Sequence, residues 1–184
     1  MPSHDTSEYS KHYIVEALFK LMKEKDFQQI SVTEITRKAG VGRVTFYRNF
    51  ASKESVIIYY FNKESAKFLM DNPHSPSSPE EYYRVIIHVL EGSKKNKDLF
   101  DKIIECHLEY IYLDYLNQNF AADFQSKSVV DNKYLPYTYC GALFNVSLTW
   151  LKDGCQSDAS QVADALFISV FGYDSFKKLK GLSA

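Results

Sequence analysis

Glycine and proline are scarce, seven and five in 184 residues. Sandwiches and barrels use both in their turns, so the shortage weighs against a turn-rich β fold and favours long helices. Cysteine is scarcer still: Cys106, Cys140 and Cys155. An odd number without paired spacing argues against a disulfide framework and a zinc cluster. No apolar run of about 18 residues is present, which excludes a spanning helix. The opening Met-Pro-Ser-His-Asp lacks the charged and apolar stretches of a secretion signal. The expectation is a soluble, cytoplasmic chain with no membrane partner. There is also no HExxH, CxxC or glycine-rich phosphate loop. Cys106 and His107 are neighbours, but adjacent residues of a helix point about 100° apart and do not chelate together easily. No catalytic residue, metal ligand or cofactor is therefore expected, and the chain does not read as an enzyme.

Net charge is small as well, −1 in total. Its distribution is uneven. Residues 1–53 carry nine Lys/Arg against six Asp/Glu, a balance of +3, and residues 54–184 carry thirteen against seventeen, a balance of −4. That pattern describes a basic module followed by an acidic body. Within the module, residues 30–53 hold Arg37, Lys38, Arg43, Arg48 and Lys53 against a single acid, Glu34. A surface so crowded repels itself unless it meets an anionic partner.

Hydrophobic spacing predicts helices throughout. Ile14, Ala17, Leu18, Leu21 and Met22 make one apolar face over 9–25. Ser31 with Glu34 three residues later is a capping-box pattern opening a short helix, which Gly40 ends. A second short helix follows Val41-Gly42 and holds Phe46 and Phe50, and Ser52 caps a long helix over 53–71. After the break DNPHSPSSPEE, Ser78-Pro79 restarts a helix carrying Val85, Ile86, Val89 and Leu90. GSKKNK reads as the next turn, 97–120 as a long, bent helical stretch, and 121–133 as a polar loop. Helices over 136–153 and 158–172 complete an all-α chain.

Two short helices joined by a glycine-containing turn form a helix-turn-helix, whose second helix enters the major groove of DNA. Ile35, Ala39, Val41, Phe46 and Phe50 are placed to pack against Ile14, Leu18 and Leu21, leaving Arg43, Thr45, Tyr47 and Arg48 for the outer face. In detail, ISVTEITRKAGVGRVTFYRNFASKESV resembles the N-terminal DNA-binding domain of the TetR/AcrR family. Ala39-Gly40-Val41, Thr45-Phe46-Tyr47, Phe50 and Ser52-Lys53-Glu54 agree in register, and the likeness covers about residues 10–65. A weaker likeness, through Gly141, Trp150-Leu151 and Gly154, is to the C-terminal helix pair of some bacterial members.

The resemblance implies a TetR-like fold: an N-terminal three-helix helix-turn-helix domain, 1–55, and a C-terminal helical domain, 56–184, for effector binding and dimerisation. It implies double-stranded DNA as a partner, a palindromic operator, and repression as the expected direction. By position, Thr33 and Tyr47 would meet phosphate, and Lys53 would do so at the start of the long helix. Arg43, Thr45 and Arg48 would face the major groove. Two positions depart from the pattern. Gly42 stands where serine is common, removing a side-chain cap. Val44 stands where glycine is common, and its stiff side chain either limits approach or meets a thymine methyl. These departures leave room for a second expectation, a protein of the same fold that regulates through protein–protein contact.

Aromatic residues are dense between 82 and 139, Phe124 among them. Each reads as core, but together so many tyrosines suit a pocket for a small apolar or aromatic effector, with His107, Tyr110 and Tyr139 as candidate lining. The last two helices are apolar on more than one face. Leu143, Trp150, Leu166, Phe167 and Val170 are the expected contacts of a homodimer built on them.

Overall fold

The computed structural model describes residues 4–72, 76, 78–121 and 134–182; Phe124 and nearly all of the expected polar loop lie outside them. The described residues form ten α-helices, one 3-10 turn and no strand. The helices are α1 (His4–Met22), α2 (Val32–Ala39), α3 (Arg43–Asn49), α4 (Lys53–Asp71), α5 (Pro79–Lys95), α6 (Lys97–Glu105), α7 (Glu109–Phe120), α8 (Leu135–Lys152), α9 (Ala159–Phe171) and α10 (Tyr173–Lys180). The chain divides into two compact units, 1–64 with 102–111, and 65–101 with 112–184.

In the first unit α1, α2 and α3 pack on one another. Ile14, Leu18, Phe27, Ile35, Phe46 and Ile57 are fully buried between them and the start of α4. The expected caps are in place. Ser31 accepts from the Glu34 amide at 3.2 Å while Glu34 accepts from the Ser31 amide at 2.9 Å, so the box is reciprocal. Gly40 ends α2 at φ 68°, a left-handed conformation that glycine adopts without strain. Ser52 accepts from the Ser55 amide at the start of α4. The 3-10 turn Phe27–Gln29 has no counterpart in the sequence pattern; it places Phe27 and Ile30 in the core.

The second unit groups α5, α8, α9 and α10. Ser78 caps α5 as its Ser-Pro start predicts. The helix then runs on through the GSKK expected to be a turn, ending at Asn96, because Ser93 is buried against the Tyr112 hydroxyl at 3.2 Å and Lys94 and Lys95 complement the helix's negative end. The bend expected within 97–120 is a full break. His107 sits at φ 55°, and the Leu108 amide reaches back to the Ile103 carbonyl at 2.8 Å, a Schellman-type close in which histidine takes the place usual for glycine. α10 is a helix the apolar pattern did not announce. It is eight residues long and offers Phe176 to Phe167, with ring centroids 6.4 Å apart.

The aromatic density of this unit is largely ring-on-ring packing. Tyr82, Tyr139 and Phe171 lie within 4.7–5.4 Å of one another, and Phe167 is 4.8 Å from Phe171. Tyr112 and Tyr115 are buried with hydroxyl partners, Ser93 and Ser147 for the first and Ser65 for the second. Tyr82 is equally buried, yet its hydroxyl has no hydrogen-bond partner among the described residues.

Candidate nucleic-acid interface

The basic segment is less uniformly charged than its composition. Glu34, the acid in its midst, is held by the Lys25 ammonium and by both the amide and hydroxyl of Ser31, which lower its pKa to about 2. Lys38 is paired with Glu24 at 2.6 Å. Lys53 donates to the carbonyls of Phe27 and Ile30, at 2.8 and 2.7 Å, with its ammonium 4.4 Å from the Phe27 ring centroid. Burial there pushes its pKa down. Arg37, Arg43 and Arg48 are exposed and have no acid within ion-pair distance among the described residues. The exposed charge of the segment that no acid neutralises is therefore concentrated in three arginines, while the Lys53 charge is held by neutral carbonyls.

α3 carries two of them and has two distinct sides. Phe46 and Phe50 are buried, 5.9 Å apart, and hold the helix to the unit. Val44 is 73% exposed and Tyr47 53%. The Tyr47 ring meets Phe46 edge-on at 5.4 Å, and the Arg43 guanidinium lies 6.0 Å from the Tyr47 centroid. Arg43 and Arg48 are exposed on the same short helix, and Thr45 is half-buried. Gly42 stands at the N-cap with no side chain to offer, so the first amides of α3 have no side-chain acceptor of their own. Thr33 is exposed in the first turn of α2. An outward group of two arginines, a tyrosine and a valine on an anchored helix can donate to phosphate and base edges and offer one apolar knob. Lys53 differs from its neighbours, because two of its three protons are already committed within the unit. Arg37 was absent from the residues that the family pattern singles out. Only its lack of an acidic partner, visible once Lys38 and Glu24 are seen to pair, marks it.

Residues 14–60, which contain all of this, match the family model of bacterial regulatory proteins, tetR family. Residues 14–60 thus carry a tetR-family domain. The chain's relatives include the dhaKLM operon transcriptional activator DhaS of Lactococcus lactis subsp. lactis (strain IL1403), 28% identical over 54% of this chain and 52% of DhaS. Another is the uncharacterized HTH-type transcriptional regulator YvdT of Bacillus subtilis (strain 168), 35% identical over 31% of this chain and 28% of YvdT. The chain thus spans about half the length of the first and less of the second. Among solved structures it resembles the transcriptional regulator FadR from Bacillus subtilis in complex with stearoyl-CoA. That likeness has a TM-score of 0.52 and 21% identity, over 88% of this chain and 98% of FadR, and it is one of fold.

The remaining candidates lie outside the basic segment. His107, at the α6–α7 break, and Tyr110 are exposed and belong to the first unit. Tyr139 belongs to the second, packed against Tyr82 and Phe171. Leu143, Trp150 and Phe167 are buried within the protomer, the Trp150 indole donating to the Ser157 carbonyl at 2.9 Å. An open groove on α8 and α9 is lined mostly by smaller side chains, among them Ala142, Val146, Val162, Ala165 and Val170, together with Leu166, which is itself buried. Leu166 and Val170 are thus the two expected interface residues on that groove. No helix among the described residues is long and apolar enough to cross a membrane.

Proposed function

We propose that this protein is a cytoplasmic, sequence-specific DNA-binding transcription regulator that acts as a homodimer on a palindromic operator, as a repressor released by a small apolar or aromatic effector. The observation that carries the proposal is α3: buried Phe46 and Phe50 on one side, exposed Arg43, Val44, Tyr47 and Arg48 on the other, none of the four engaged by an acid of the described residues. Dimerisation is supported by the open apolar groove on α8 and α9. A long-chain acyl ligand on FadR, which shares the fold, makes an apolar effector the natural class to try. The name of DhaS supports regulation in the opposite sense, activation, as the second reading of the same interface.

Selection from random DNA, followed by titration of the selected fragment at several salt concentrations, tests the central claim. A palindromic consensus is expected. The logarithm of affinity should fall with the logarithm of salt at roughly 0.9 per phosphate contacted. No enrichment over random sequence would overturn it. Effector release is tested by linkage: a long-chain acyl thioester that binds must bind more weakly, by the same factor, when the operator is present.

A further inference from the structure

α3 has only seven residues and no side-chain cap at its start, so it depends on tertiary contacts for its orientation. Phe46 and Phe50 fix its depth, but apolar contacts are non-directional and do not by themselves set rotation about the helix axis. The directional contact is at its other end. The Asn49 side-chain amide donates to the Thr45 carbonyl at 2.8 Å, which turns its oxygen the opposite way, and that oxygen accepts from the Ser7 hydroxyl at 2.8 Å, 42 residues earlier in the chain. The next residue extends the tie. Glu8 accepts from the Tyr59 hydroxyl of α4 at 2.9 Å and from Lys11 at 2.7 Å, and the Tyr59 ring lies edge-on to Phe50 at 5.5 Å. The opening turns of α1 therefore hold both the helix that reads and the helix that follows it.

We propose that Ser7 and Asn49 are positioning residues for α3, a hydrogen-bonded clasp that sets the rotation of the helix about its own axis. The proposal rests on the DNA-binding function proposed above. It follows from geometry: base edges are read by directional hydrogen bonds, so a small swivel of α3 disturbs Arg43, Val44 and Arg48 together, whereas phosphate contacts from flexible side chains adapt. Loss of the clasp should lower specificity more than general affinity for DNA.

The test compares the parent with Ser7→Ala, Ser7→Thr, Asn49→Ala and the Ser7→Ala/Asn49→Ala pair, all in the full chain. Amide hydrogen exchange over 43–49 is read without DNA. Affinity is then measured for a fragment selected by the parent and for random DNA of equal length. Ser7→Ala should speed exchange in α3 and weaken operator binding about fivefold, the size of one net hydrogen bond, with random DNA changed less than about twofold. Ser7→Thr, which keeps the hydroxyl, should behave as the parent. The double variant should lose no more than the larger single loss, because both remove one contact. A Ser7→Ala protein with the parent's specificity ratio overturns the proposal, even if its exchange changes. A parent that binds operator and random DNA equally overturns the DNA-binding reading, and this proposal with it.

Discussion

Lys53 shows how a residue in the expected place can acquire a second role. Its ammonium bridges the Phe27 and Ile30 carbonyls, which close the 3-10 turn between α1 and α2. Lys53→Met keeps the stem but leaves both carbonyls without that donor, so it should lower unfolding free energy by about 1–3 kcal/mol in a denaturant titration. Tyr47→Ala, at a half-exposed ring, should cost far less stability while weakening operator and random DNA alike. A Lys53→Met protein as stable as the parent would return Lys53 to a purely outward role. The buried tyrosines give the complementary case. The Tyr82 hydroxyl, packed against Tyr139 and Phe171, has no partner among the described residues, so Tyr82→Phe should leave the thermal midpoint unchanged or raise it. Tyr112→Phe, which deprives Ser93 and Ser147 of a partner, should lower stability by about 1 kcal/mol. Equal effects of the two substitutions would mean that the environment of Tyr82 is not as dry as the structure has it.

At the scale of the element, α2 is held at its start by the capping box, and Glu34 is its titratable member. Lys25 first, then the Ser31 amide and hydroxyl, hold the folded Glu34 pKa at about 2, below the ordinary 4.5. The sign follows: the stabilisation is fully present above pH 4.5 and is lost as pH falls through about 2. Thermal midpoints of the parent and of Glu34→Gln should therefore differ at neutral pH and converge across that acidic window. A gap that persists below it would assign the difference to shape rather than charge. This helix was legible from the sequence because its signals are local: Ser31 with Glu34, then Gly40, as at Ser52 and Ser78 elsewhere. Elements decided by distant partners were not legible. Ser93 extends α5 by reaching Tyr112, nineteen residues away, and His107 breaks 97–120 without the glycine that marks such a stop. α10 offers mainly Phe176 to the core, too few apolar positions to show a period. At the interface itself, the outward Arg43, Tyr47 and Arg48 follow from register against Phe46 and Phe50, but Thr45, expected beside them, is half-buried and Val44 is exposed in its stead; the carbonyl ligands of Lys53 and the reach of Ser7 to Asn49 depend on tertiary placement.

For the whole molecule, the apolar character of α8 and α9 resolves into two populations. Leu143, Trp150, Leu166 and Phe167 are buried, and a groove lined mostly by smaller side chains remains open. A second copy laid on this groove by a two-fold axis would bury it, and small side chains allow the close helix approach that a well-packed interface of about 800 Å² per partner needs. Substituting a buried residue such as Phe167 would confuse dissociation with unfolding. Ala165 is exposed and lines the groove, so Ala165→Arg is tolerated by the monomer, while the symmetry of the interface introduces the new charge twice. Sedimentation should give a dimer for the parent and a monomer for Ala165→Arg at the same micromolar concentration, with unchanged helix content by circular dichroism. The monomer should also lose most of its preference for a full palindrome over a single half-site, because the second recognition helix no longer arrives with the first. A parent that sediments as a monomer would remove the two-fold architecture. A parent dimer indifferent to Ala165→Arg would move the interface away from this groove.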